Sequence, residues 1–67
     1  MNQFKAKRIG KDLTQEEVAN LIGISNRTVS MWETGSAFPR LKTLIKLAAV
    51  LDCRVDDLLR EEGSNGE

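Results

Sequence analysis

Residues 14–35 read TQEEVANLIGISNRTVSMWETG, and the punctuation of this stretch dictates two short helices joined by a very tight turn. Thr14 followed three residues later by Glu17 is a capping box, in which each side chain satisfies a backbone N–H that the helix start would otherwise leave orphaned. Val18, Ala19 and Ile22 then fall on one face at helical spacing, and Gly23 supplies a residue able to leave the helix with positive φ. Ile24 alone separates that glycine from Ser25, an N-cap for a second helix running to about Thr34. Along it Val29 and Trp32 point inward, while Asn26, Arg27, Ser30, Met31 and Thr34 fall on the opposite side. Gly35 ends it.

Outward from this pair the period stays helical. Phe4 to Lys11 makes a short, weakly amphipathic helix that closes before Asp12, one of the few non-glycine residue types tolerant of a left-handed backbone. The segment GSAFPR is a loop with Pro39 as a stop, after which Leu41, Leu44, Ile45, Leu47, Ala48 and Leu51 build a fourth helix. A fifth, Val55 to about Arg60, brings Leu58 and Leu59 to the core, and GSNGE reads as a frayed tail. No stretch alternates long enough for a strand and no repeat occurs. The expectation is one all-α domain over 1–62 with a flexible tail over 63–67.

Sixty-seven residues, 40% hydrophobic and 30% charged, make one small soluble core. No apolar run approaches the roughly 18 residues of a membrane span, and MNQFKAKR has no signal-peptide character, so a cytoplasmic location is expected. A lone Cys53 in a chain without histidine builds neither a disulfide nor a zinc site and reads as a small hydrophobe. No metal, no cofactor and no catalysis are expected, for histidine is the usual general base and no nucleophile or carboxylate pair has a motif around it. The net charge is zero, yet residues 1–46 hold eight cations against four carboxylates, and residues 47–67 two against six. A phosphate backbone feels the sign of the facing surface rather than the total.

The run at 14–35, with Pro39, LKTLIKLAAVL at 41–51 and VDDLL at 55–59, resembles the helix-turn-helix domain of the phage Cro and cI repressors and their bacterial relatives over about residues 4–60. The resemblance implies a five-helix, lambda-repressor-like domain whose helices 2 and 3 are the central helix-turn-helix. It implies that helix 3 lies in the major groove of double-stranded DNA while helix 2 crosses the backbone. Asn26, Arg27, Ser30 and Met31 are then the candidate base readers. Arg27 matches the two acceptors of guanine, Asn26 the donor and acceptor of adenine, and Met31 a thymine methyl. Gln15, Ser25, Thr34, Arg40 and Lys42 are the candidate phosphate contacts. Relatives also imply an ion pair between Arg8 and Glu33.

Several residues depart from the family pattern. Lys7 stands at a usually apolar position, Asp12 at a common glycine, Arg40 and Arg54 at usual Ser or Asp caps, and Met31 where relatives often carry a basic residue. Each missing cap forgoes about 1 kcal/mol, although Asp56 and Asp57 favour the fifth helix through its dipole. The expected function is a sequence-specific DNA-binding transcriptional regulator, a repressor acting by occupancy. It is expected as a homodimer on a pseudo-palindromic site, with the dimer contact at Val55 and the helix 4–5 loop. With no room for a sensor domain, control is expected from concentration, a protein partner or proteolysis. Two alternatives use the same fold: the DNA-binding antitoxin of a toxin pair, and a protein-interaction module that does not bind DNA.

Overall fold

A computed structural model of the chain describes residues 1–59. It contains α1 (Asn2–Gly10), α2 (Gln15–Ile22), α3 (Asn26–Thr34), α4 (Leu41–Val50) and α5 (Val55–Leu59), with no strand among the described residues. α1 thus begins two residues before Phe4 and ends at Gly10, with Lys11 in its cap. The expected end of the fifth helix at Arg60 and the tail at 63–67 lie outside the described residues. No helix among those described is long and apolar enough to cross a membrane.

The core draws on all five helices: Phe4 from α1, Val18 and Ala19 from α2, Val29 and Trp32 from α3, Leu44, Leu47 and Ala48 from α4, and Leu58 from α5, with Leu51 just past α4. Phe4 meets Trp32 edge to face, ring centroids 6.1 Å apart and planes at 75°, the arrangement that sets a ring's positive edge on its neighbour's negative face. The same contact fixes α1 against α3, because each ring is rigid and buried.

Four helices end on a left-handed residue whose successor bonds five residues back. After α1, Asp12 N–H bonds Ile9 O (2.9 Å) and Leu13 N–H bonds Arg8 O (3.1 Å). After α4, Asp52 N–H bonds Ala49 O (3.3 Å) and Cys53 N–H bonds Ala48 O (2.9 Å). These are paired Schellman bonds around a left-handed residue, Asp12 at φ 58 and Asp52 at φ 56. At the ends of α2 and α3 the left-handed residues are Gly23 (φ 87) and Gly35 (φ 85), followed by Ile24 N–H to Ala19 O and Ser36 N–H to Met31 O, both 2.9 Å. The residue after the left-handed one turns inward at three of the four ends. Leu13, Ile24 and Cys53 all rest on the core, and this position accounts for the partial burial of Cys53.

Three apolar residues expected inside α4 and α5 lie at the surface: Leu41 is 68% exposed, Ile45 54% and Leu59 43%. Leu44, Leu47, Ala48 and Leu51 already complete a stripe at three-four spacing. Ile45, about 100° around the helix from Leu44, falls beyond its edge. Leu41 sits in the opening turn on the same outer side, and Leu59 is adjacent in sequence to the buried Leu58.

Candidate nucleic-acid interface

The outer face of α3 is set by its inner one. Val29 and Trp32 are buried, so Asn26, Arg27 and Thr34 stand exposed, and Ser30 and Met31 half-buried, on the other side. Arg27 has no carboxylate partner among the described residues, which leaves its five donors in a planar fork available to an external acceptor. Ser25 holds this face at its start. Its Oγ accepts from Thr28 N–H at 3.2 Å and shares a hydrogen bond with Thr28 Oγ1 at 2.9 Å. Thr28 was not among the residues singled out from sequence, although the Ser-x-x-Thr spacing carries the signal.

At the other end, Thr34 Oγ1 donates to Met31 O at 3.2 Å and lies 3.2 Å from Ser36 Oγ. Both hydroxyls proposed for phosphate therefore have internal duties, Ser25 in capping and Thr34 in closing the helix. Arg40 and Lys42 are exposed and line one hollow with Thr43, Ile45 and Lys46. The cations of the loop after α3 and of the first turns of α4 thus stand together, with no acidic residue among the described residues lining the hollow.

A polar node ties the helices beneath this surface. Arg8 Nε donates to Glu33 Oε2 at 2.6 Å and Arg8 Nη2 to Oε1 at 3.3 Å, a two-pronged pair whose side chains are only 11% and 6% exposed. Arg8 Nη1 reaches Leu13 O at 2.7 Å, so one guanidinium holds α1, the α1–α2 turn and α3. Gln15 Nε2 donates to Glu33 Oε1 at 2.9 Å, a link that sequence reading did not supply. The start of α2 carries both halves of its capping box: Thr14 N–H to Glu17 Oε1 at 2.8 Å and Glu17 N–H to Thr14 Oγ1 at 3.0 Å. Among the described residues every buried side-chain nitrogen or oxygen has a partner.

Chemistry elsewhere is sparse. Burial, first of all, pushes the Cys53 thiol above its usual range, with Asp57 and Asp52 adding to the rise and Lys7 opposing it. A thiol that keeps its proton is a poor nucleophile. Among the described residues no group of His, Cys, Asp and Glu is arranged to hold a metal ion.

Residues 4–58 match the family model described as helix-turn-helix. The chain is 38% identical over 64 residues to the cryptic phage CTXphi transcriptional repressor RstR of Vibrio cholerae, covering 96% of this chain and 58% of that protein. It is 34% identical over 55 residues to the HTH-type transcriptional activator BcrR of Enterococcus faecalis, covering 82% of this chain and 27% of the relative. Against an uncharacterized HTH-type transcriptional regulator of Methanocaldococcus jannaschii the identity is 33%, over 85% of this chain and 86% of the other. The chain thus spans little more than half of the first of these relatives and about a quarter of the second. With a match over nearly all its described length, this chain belongs to the helix-turn-helix family of the Cro/cI type, a family of DNA-binding transcription regulators.

Proposed function

We propose that this chain reads a double-stranded DNA site with α3 in the major groove and represses transcription by occupying that site. The observation that carries the reading is the outer face of α3, where Arg27, without a carboxylate partner among the described residues, stands beside Asn26 on the side away from the buried Val29 and Trp32. Arg27 supplies the two-pronged contact to guanine O6 and N7, and Asn26 the matching contact to adenine. Ser30 and Met31 line the same surface one turn on, Met31 against a thymine methyl. Gln15, Ser25, Thr34, Arg40 and Lys42 contact phosphates, which fix register without carrying sequence. One such head reads few base pairs, so two copies act as a dimer on half-sites about 34 Å apart, joined through Val55 and the α4–α5 turn. Repression is the sense of regulation in two of the relatives, RstR and repressor protein C2 of Salmonella phage P22, which is 29% identical over 58 residues.

Binding assays on a duplex selected from a random pool test this by contrast. Arg27→Ala weakens the selected site by about 1–3 kcal/mol and relaxes the preference at one base, with non-specific binding less affected. Lys42→Ala weakens all duplexes alike and reduces the slope of log K against log salt by roughly 1. Equal weakening everywhere by both variants removes Arg27 from base reading. Failure of the wild-type protein to select any duplex favours the interaction module that does not bind DNA.

A further inference from the structure

We propose that Glu33 is a positioning residue for DNA binding: through its Oε1 it holds the Gln15 carboxamide at the start of α2 in the orientation that meets a phosphate. The inference rests on the DNA reading above and names the device that aims one of its anchors. A carboxylate only accepts, so the 2.9 Å contact fixes which end of the Gln15 amide faces Glu33. Nε2 gives one proton to Glu33 and keeps the second, while the amide plane is locked by a partner that is itself gripped twice by Arg8. Glu33 is 6% exposed and sits on α3. The same carboxylate therefore couples the orientation of the anchor on α2 to the helix that reads the groove.

The electrostatics of this helix end make such aiming matter. Glu16 and Glu17 occupy the first turn of α2, and Glu17 is held there by the capping box. A helix start bearing two carboxylates attracts a phosphate weakly through charge, so a neutral donor has to meet it through geometry. An amide free to rotate would pay rotamer entropy on binding and present its oxygen as often as its nitrogen. The tether removes both penalties before DNA arrives.

The test separates aiming from folding by replacing the Arg8–Glu33 pair as a pair, since a stranded charge alone destabilises the domain. The doubly apolar protein Arg8→Met with Glu33→Met lacks the acceptor. Arg8→Met with Glu33→Gln restores a neutral acceptor oxygen for Gln15. Both are compared with wild type and with Gln15→Leu on a duplex selected from a random pool for wild-type binding, by affinity and by phosphate-ethylation interference at a temperature where thermal melts show all four folded. The expected result is a loss of about fivefold in affinity for Gln15→Leu and for the Met/Met protein, the size of one net hydrogen bond. The same phosphate drops out of both interference patterns, and Met/Gln restores both the affinity and the pattern. In the free wild-type protein, the side-chain 15N relaxation of Gln15 is as rigid as the backbone and that of Gln3 is not. Equal affinities and patterns for the Met/Met and Met/Gln proteins, or a Gln15 amide as mobile as Gln3, overturn the positioning role while the DNA reading stands. Failure of the wild-type protein to select any duplex overturns the DNA reading and this inference with it.

Discussion

The α2–α3 unit and the α4–α5 corner solve the same problems of helix termination with unequal means. Each helix of the first pair starts on a hydroxyl cap, Thr14 or Ser25, and ends on a left-handed glycine. α4 starts at Arg40, which makes no side-chain cap bond, and ends at Asp52, a left-handed residue that is not glycine. α5 recovers half a capping box, because Arg54 N–H donates to Asp57 Oδ2 at 3.1 Å. Local chemistry is thus concentrated in the α2–α3 pair. The other corner relies on the burial of Leu44, Leu47, Ala48, Leu51 and Leu58, and burial fixes the presence of a helix better than its first residue.

Ion pairs sharpen the contrast most, and the largest effect expected lies there. Glu33→Leu strands the Arg8 guanidinium in a site only 11% exposed and should cost about 3–5 kcal/mol in urea unfolding. The Lys11–Asp52 pair near the α4–α5 corner spans 3.9 Å with side chains 45% and 85% exposed, so Lys11→Ala should cost no more than about 1 kcal/mol. Similar losses for the two would show that the polar node contributes no more than a surface contact and would erase the distinction drawn between the regions.

The caps give the next effect, with opposite signs in the two regions. Thr14→Ala should lose about 1 kcal/mol, or about 4–8 °C in Tm for a domain of this size. Arg40 already has cap-like backbone angles (φ −71, ψ 163), close to those of Thr14 (φ −82, ψ 165), and lacks only the acceptor. Arg40→Ser should therefore gain about 1 kcal/mol. A loss on Arg40→Ser would mean that the arginine stem covers apolar surface worth more than a cap.

The same division decides what was legible in the sequence. The capping box, the Ser25 start, both glycine exits and the left-handed Asp12 follow from chemistry between residues a few positions apart, and the structure has them. The left-handed Asp52 was legible in principle, for Leu51-Asp52-Cys53 follows α4 as Lys11-Asp12-Leu13 follows α1. An unbroken apolar run hid the stop. The exposure of Leu41, Ile45 and Leu59 was not legible, because the amphipathic pattern is wider than the stripe that the neighbouring helices cover. The Gln15–Glu33 link joins residues eighteen positions apart, and no local rule names it. Which side chains occupy the outer face of α3 followed from the placing of Val29 and Trp32. What each touches on DNA is a matter for the binding experiments.

The smallest expected effects come from exchanging the left-handed residues between the two regions, and they test whether glycine and aspartate are alternatives at these exits. Left-handed backbone costs an ordinary L-residue roughly 1–2 kcal/mol, less for Asp, whose short side chain bonds locally. Glycine removes that cost but enlarges the unfolded ensemble by about 0.4–1 kcal/mol. In a Lys11→Ala background, where no ion pair is lost, Asp52→Gly should therefore change stability by no more than about 0.5 kcal/mol, the two terms nearly cancelling. In the other direction, a Cβ added at Gly35 meets no atom within 4 Å, so Gly35→Asp faces only the backbone term. With the same two terms reversed in sign, it should change stability by no more than about 0.5 kcal/mol. Thermal melts of both variants decide the point: a Gly35→Asp loss as large as that of Glu33→Leu would show that the exit of α3 demands glycine for a reason its φ of 85 does not supply.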